Sequence, residues 1–221
     1  MANGGRDRVR WIDVPPERVC AWLDSFARRH GTAVAQRSAA VLTFRAGDGS
    51  VAECHVPFPP LQGDQAAASG AEIAAHATAE RVVGVLLVRL GGYAAGVFAG
   101  AGPELVVSKV GARLVHGRSA AGGTSQHRFA RRRQKQAAEA LGAAADTAAA
   151  VFGPYAGRLD ALVLGGDKRA MAGLREDPRL RPYFALAVDR FLTVPDPRLA
   201  VLRGTPAQFR AIRIKLAEAQ G

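Results

Sequence analysis

The sequence predicts an α+β / α/β protein, with a mixed central sheet flanked by helices and a small N-terminal α+β module in front of it. Two observations lead there. From Arg81 onward, β-rich and helix-forming runs follow one another in the order βββαβαβα, as in a layered sheet-and-helix domain. Before that, the first 60 or so residues carry their own helix and strand signatures and end in a stretch rich in Pro, Gly, Gln and Ala. The predicted organisation is therefore a module over 1–60, a linker and short helix over 61–80, and a larger domain over 81–221. With 221 residues and 48% hydrophobic content the chain has enough apolar surface to bury real cores.

In order, "PPERVCAWLDSFARRHG" places Val19, Trp22, Leu23 and Phe26 at i, i+3, i+4 and i+7 between prolines and Gly31. That is an amphipathic helix, with Cys20 expected to pack beside its inner face. "TAVAQR", "AVLTFRA" and "SVAECHVPF" read as strands, the last two joined across "GDG". "RVVGVLLVRL", "GYAAGVFAG" and "ELVVSKVGARLVH" are three strand-like runs separated by glycine turns, as consecutive antiparallel strands require. The alanine-rich run "HRFARRRQKQAAEALGAAADTAAAVF" predicts a long helix with Phe129, Ala137, Leu141 and Ala148 on its inner side. "LDALVLGGD" predicts a strand, "KRAMAGL" and "DPRLRPYF" short helices, and "ALAVDRFLTV" a further strand. "TPAQFRAIRIKL" is expected to close the chain as a helix, with Thr205 at the cap, Pro206 in the first turn and Gln208 three residues on from Thr205.

Charge narrows the partners. Thirty Lys and Arg against 19 Asp and Glu give a net charge of +11, which points to a polyanion such as nucleic acid or to an acidic membrane face. Eight of those cations, Lys109, Arg113, Arg118, Arg128, Arg131, Arg132, Arg133 and Lys135, lie between Glu104 and Glu139 with no acid among them. A solvated helix interleaves signs, because opposite charges at i,i+4 help it slightly and like charges cost as much. An acid-free run of this length fits a phosphate track better than a merely solvated face. The two cysteines, Cys20 and Cys54, have no CxxC spacing, so neither a disulfide framework nor a structural zinc site is suggested. No apolar run near the N-terminus has the form of a signal peptide and none approaches a bilayer span, so a soluble cytoplasmic protein is expected.

Familiar catalytic constellations fail one by one. "GRSAA" after a strand has the outline of a nucleophile elbow, but Gly122 and Gly123 prevent the immediate helix, and no histidine follows His127. Cys54 and His55 are adjacent on a strand and point to opposite faces, while His30 and His76 lie on separate helical segments, so no metal is expected. "LGGD", Leu164 to Asp167, lacks the spacing of a dinucleotide or phosphate-binding loop and reads as a strand-to-helix turn. What remains is Gly122, Gly123, Thr124, Ser125 and Gln126. Paired glycines let another polymer approach the backbone closely. Gln126 is too weakly basic for ordinary proton abstraction, but its amide can hold a water or an oxyanion in an attacking geometry. Alternatively Ser125 caps the helix and Gln126 is its first-turn residue.

Together, "VRLGGYAAGVFAG", "SKVGARLVHGR" and "GRSAAGGTSQHRFARRR" resemble the actinobacterial Vms-like release factors. These are a branch of the peptidyl-tRNA-hydrolysing family that includes the eukaryotic Vms and ANKZF proteins. The resemblance covers about Arg81 to Val194 best. It implies an RNase-H-like fold similar to the middle domain of eukaryotic and archaeal class-1 release factors. Where those factors carry a GGQ tip this group carries GxxQ, here Gly123-Thr124-Ser125-Gln126, which gives Gln126 the catalytic role. Thr124 and Ser125 replace the second glycine and lengthen the spacing. The implied partners are the large ribosomal subunit, through ribosomal RNA, and peptidyl-tRNA. No cofactor and no membrane are implied, and a monomer is expected. The alternative is a non-catalytic RNA-binding or ribosome-associated module in which the loop only docks.

Overall fold

The computed structural model describes residues 8–61, 68–89, 92–112 and 126–219. The chain forms two compact units, Met1–Ala79 with Ala207–Gly221, and Glu80–Pro206. Residues 207–221, read from the sequence as the end of the second domain, therefore group with the first.

The first unit is a five-stranded antiparallel sheet in the order β1 (Arg8–Val14), β10 (Ile212–Glu218), β4 (Val51–His55), β3 (Val41–Ala46), β2 (Ala33–Arg37). Helices α1 (Val19–His30) and α2 (Gly70–Thr78) pack on one face. Val19, Leu23 and Phe26 from α1 and Ile73 and Ala77 from α2 close over Leu42, Phe44, Ala52, Cys54, Ile212, Ile214 and Leu216. Helix α1 ends at Gly31, whose φ of 89° suits a residue without a Cβ. Cys20 is exposed rather than packed, because one residue beyond Val19 the chain has already turned about 100° off the apolar stripe. The Ser69 hydroxyl caps α2 by accepting from the Glu72 N–H at 3.2 Å. Buried His76 donates Nε2–H to the Pro57 carbonyl at 2.9 Å, which accounts for it as a core residue.

Strand β10 corrects the closing helix. The cap signals hold for only one turn, α7 (Thr205–Phe209), where the Thr205 hydroxyl donates to the Leu202 carbonyl at 2.7 Å. Beyond Ala211, Ile212, Ile214 and Leu216 alternate with Arg213, Lys215 and Ala217, a period of two that buries one side of a strand. Strand β1 was not read from the sequence at all. It pairs residue for residue with β10 from Val14↔Ile212 to Arg8↔Glu218.

The second unit is a mixed sheet in the order β7 (Glu104–Ala112), β6 (Gly92–Ala99), β5 (Val83–Arg89), β8 (Ala161–Gly166), β9 (Ala187–Leu192). β5, β6 and β7 are antiparallel neighbours, whereas β8 and β9 run parallel to β5. This is the RNase-H-like arrangement, flanked by helices as expected. β5 is buried on both faces from Val83 to Val88, as its unbroken apolar run requires. On one face α3 (Gln126–Phe152) lays Ala144, Ala145, Ala148, Val151 and Phe152 on Leu86, Val88, Ala95, Val97, Leu162 and Leu164. On the other, Gly96 makes room for Leu105 and for Leu202 of α6 (Leu199–Arg203). The β8–β9 connection contains α4 (Lys168–Arg175) and α5 (Arg181–Phe184). No helix among the described residues is long and apolar enough to cross a membrane.

Candidate active site

Strand direction places the end of β7, from which the sequence runs on to α3. β6 runs opposite to both β5 and β7, so β5 and β7 point the same way, and β8 and β9 run with β5. Arg89, Ala112, Gly166 and Leu192 therefore end at one edge of the sheet, and the segment 113–125 leaves from that edge to begin α3. Gly122, Gly123, Thr124, Ser125, Arg113 and Arg118 lie outside the described residues. For Gln126, Arg128, Arg131, Arg132 and Arg133 the backbone alone is described, and it is helical. Gln126 is the first residue of α3. The helix therefore starts where a Ser125 cap would start it, and both sequence readings of the pair meet at the same position.

The helix has two different halves. Among its residues whose burial is described, 134–152, the first buried one is Ala144, and none from Gln134 to Ala143 is buried. At about 1.5 Å per residue, Gln126 lies roughly 27 Å along the axis from that first buried residue. Ala148 is buried and Leu141 packs at the margin of the core, as expected of the inner stripe.

Positions 128, 131, 132 and 135 are spaced i, i+3, i+4 and i+7, so they fall on one side of α3. That stripe continues through Ala138, Glu139, Gly142 and Asp146, which are exposed, as is Lys135 itself. Positions 128, 131, 132 and 135 thus lie in line with the exposed side of the described part of the helix. Arg133 lies off the stripe. On β7, exposed Lys109 stands opposite Ala95, on the sheet face that carries α3. The structure thus brings the basic stripe and the N-terminus of α3 together, and a helix N-terminus already favours negative charge.

Two features at this edge were not read from the sequence. Tyr93 stands opposite Gly111, and its ring fills the space that a Cβ on Gly111 would need. Gly111 is the second-last residue of β7, so this contact fixes the end of that strand. Arg89 is clamped at the end of β5, with Nη1 donating to the Val194 carbonyl at 2.8 Å and Nε 3.8 Å from Asp196. Neither partner is close in sequence, so only strand register could have revealed them.

The "LGGD" turn behaves as read. Gly166 takes a φ of 103°, and the Asp167 carboxylate accepts from the N–H groups of Arg169 and Ala170 at 2.7 and 2.9 Å. The N-terminus of α4 is occupied by the protein's own carboxylate. Cys54 is buried, and desolvation pushes its thiol up to about 12, which keeps it from acting as a nucleophile. Among the described residues no group of three or more His, Cys, Asp or Glu is placed to hold a metal.

Residues 81–215 match the model of the Actinobacteria/chloroflexi VLRF1 release factor family. The chain belongs to this family. The match spans the mixed sheet, the basic helix and the start of β10. Solved structures similar to this VLRF1-family chain include an archaeal translation termination factor, aRF1, at 13% identity and a TM-score of 0.44, with 91% of this chain and 66% of that one covered. Another is the Vms1 mitochondrial localization core, at 10% identity and a TM-score of 0.35, with 82% and 77% covered. A structure described as an archaeal protein has 15% identity and a TM-score of 0.36, covering 91% and 67%. No curated protein matches the chain in sequence.

Proposed function

We propose that the chain is a ribosome-dependent peptidyl-tRNA hydrolase that frees nascent chains from stalled large ribosomal subunits. The observation that carries this reading is the position of Gln126 as the first residue of a 27-residue helix along which positions 128, 131, 132 and 135 share one side. Membership of a release factor family supports the same assignment.

In this reading the loop Gly122, Gly123, Thr124 and Ser125 enters the peptidyl-transferase centre. Arg113, Arg118, Arg128, Arg131, Arg132, Arg133, Lys109 and Lys135 bind ribosomal RNA phosphates, and the long helix supplies the reach. The Gln126 amide holds a water against the ester carbonyl. Water adds to that carbon, the bond to the ribose oxygen breaks, and the peptide acid and the tRNA hydroxyl leave. Positioning and oxyanion stabilisation are terms a neutral amide can supply, and the ribosomal RNA provides the remaining surroundings.

The test mixes purified protein with large subunits bearing peptidyl-tRNA, alongside free peptidyl-tRNA, and scores ester cleavage. Cleavage on the subunit alone is the expected result. Equal turnover of free peptidyl-tRNA would make the protein a stand-alone hydrolase. Binding without cleavage would make it a docking module.

A further inference from the structure

The two helices of the first unit cover one face of its sheet, and the other face carries an arrangement that release chemistry does not use. Register places three rows across that outer face: Trp11–Lys215–Glu53–Thr43–Gln36, Asp13–Arg213–His55–Val41 and Val9–Ala217–Val51–Arg45–Val34. An antiparallel sheet with one wet face normally presents short polar side chains there. Here Trp11 is 48% exposed. The Arg213 guanidinium lies 4.5 Å from the centre of its ring, and the His55 ring centre is 5.1 Å away at a tilt of 52°.

We propose that this outer face binds single-stranded RNA, with unpaired bases stacking on Trp11 and on the guanidinium of Arg213. An indole and an arginine plane side by side on an open sheet are the surfaces on which splayed bases stack, without regard to sequence. Arg213 itself is exposed, and Arg45, on β3 of the same face, is a second exposed cation available to the backbone. The two acids on the face are Asp13 and Glu53, and Lys215 lies 3.2 Å from Glu53 and neutralises it. His55 is 3.8 Å from the same carboxylate, yet burial first, and then Lys215 and Arg213, hold its pKa below the usual value, so it is a neutral ring at pH 7. A face built to dock an apolar protein surface would not set a cation against its one large aromatic. This inference is independent of the release reading and concerns residues outside the loop and α3.

The experiment uses the full chain with Arg131, Arg132 and Arg133 replaced by Gln, so that the basic helix contributes little. The probes are a labelled oligouridine of about eight nucleotides and an abasic oligonucleotide of the same length and charge. Trp11 and Trp22 are the only tryptophans, and Trp22 is stacked on Phe26 at 5.8 Å under the sheet, so quenching on binding reports Trp11. The expected results are quenching by oligouridine and weaker binding of the abasic strand. Trp11→Ala should lose about ten-fold in affinity, and Trp11→Phe should stay close to the parent. Trp11→Phe also guards against misfolding, since it keeps an aromatic on β1. Equal affinities of Trp11→Ala and its parent, equal binding of the abasic strand, or binding without quenching would each overturn the proposal.

Discussion

Tyr93 lies across Gly111 so closely that a methyl group at Gly111 would occupy the position of the phenol ring. Two strand neighbours thereby fix the end of β7 at the point where the chain leaves for Gln126.

Gly111→Ala is expected to force the ring aside at about 1–3 kcal/mol, the usual range for overpacking. That is a fall of several degrees in Tm, at roughly 2–4 °C per kcal/mol for a chain of this size. In a Tyr93→Ala background the same substitution should cost little, because contacting residues couple. Thermal melts of the four proteins check this. Additive effects would mean that the ring moves freely.

Replacing Arg131, Arg132 and Arg133 with Gln is expected to weaken binding to large subunits and lower the slope of log K against log salt by up to about 1 for each lost phosphate contact. Helicity by circular dichroism should hold, since Gln and Arg have similar helix propensity. An unchanged slope would place these arginines in solvent within the complex.

Gly123→Val tests delivery. If the glycine pair lets the loop thread an RNA-walled channel, a β-branched side chain there both restricts the backbone and adds bulk. Release should be lost while the melting temperature stays unchanged. Full activity would leave the pair as an ordinary turn before a capped helix.

The cysteines predict a simple labelling result. Cys20 is exposed and Cys54 buried, so a thiol reagent at pH 8 should titrate one group in the folded protein and two after denaturation. The Cys54 thiol is raised from 9.0 to about 12 on folding. Between those values the unfolded chain binds fewer protons than the native one, so this group lowers stability as pH rises through that window. Rapid reaction of both thiols in the folded state would contradict the burial of Cys54.

Sequence patterns reached the second unit further than the first. Glycine-bounded, β-branched runs made β5, β6 and β7 legible, and alanine content made α3 legible. β1 and β10 were not, because each completes the other from the opposite end of the chain and has no sequence neighbour to pair with. Thr205 and Pro206 added a local helix signal just before Ile212–Arg213–Ile214 switched to the period of a strand. The candidate residues were legible as residue types. That Arg128, Arg131, Arg132 and Lys135 share one helix was legible too; what was not is that β5 and β7 share a direction, which only the strand pairing fixes.

The most direct measurement is the single-turnover rate of peptide release from peptidyl-tRNA-bearing large subunits by wild type and Gln126→Ala, with subunit binding and melting recorded on the same preparations. Loss of release by about 100-fold or more, the scale on which removing one oxyanion donor acts, with binding and melting unchanged, is the predicted result. Undiminished release by Gln126→Ala would contradict the assignment of Gln126 as the residue that brings water to the ester.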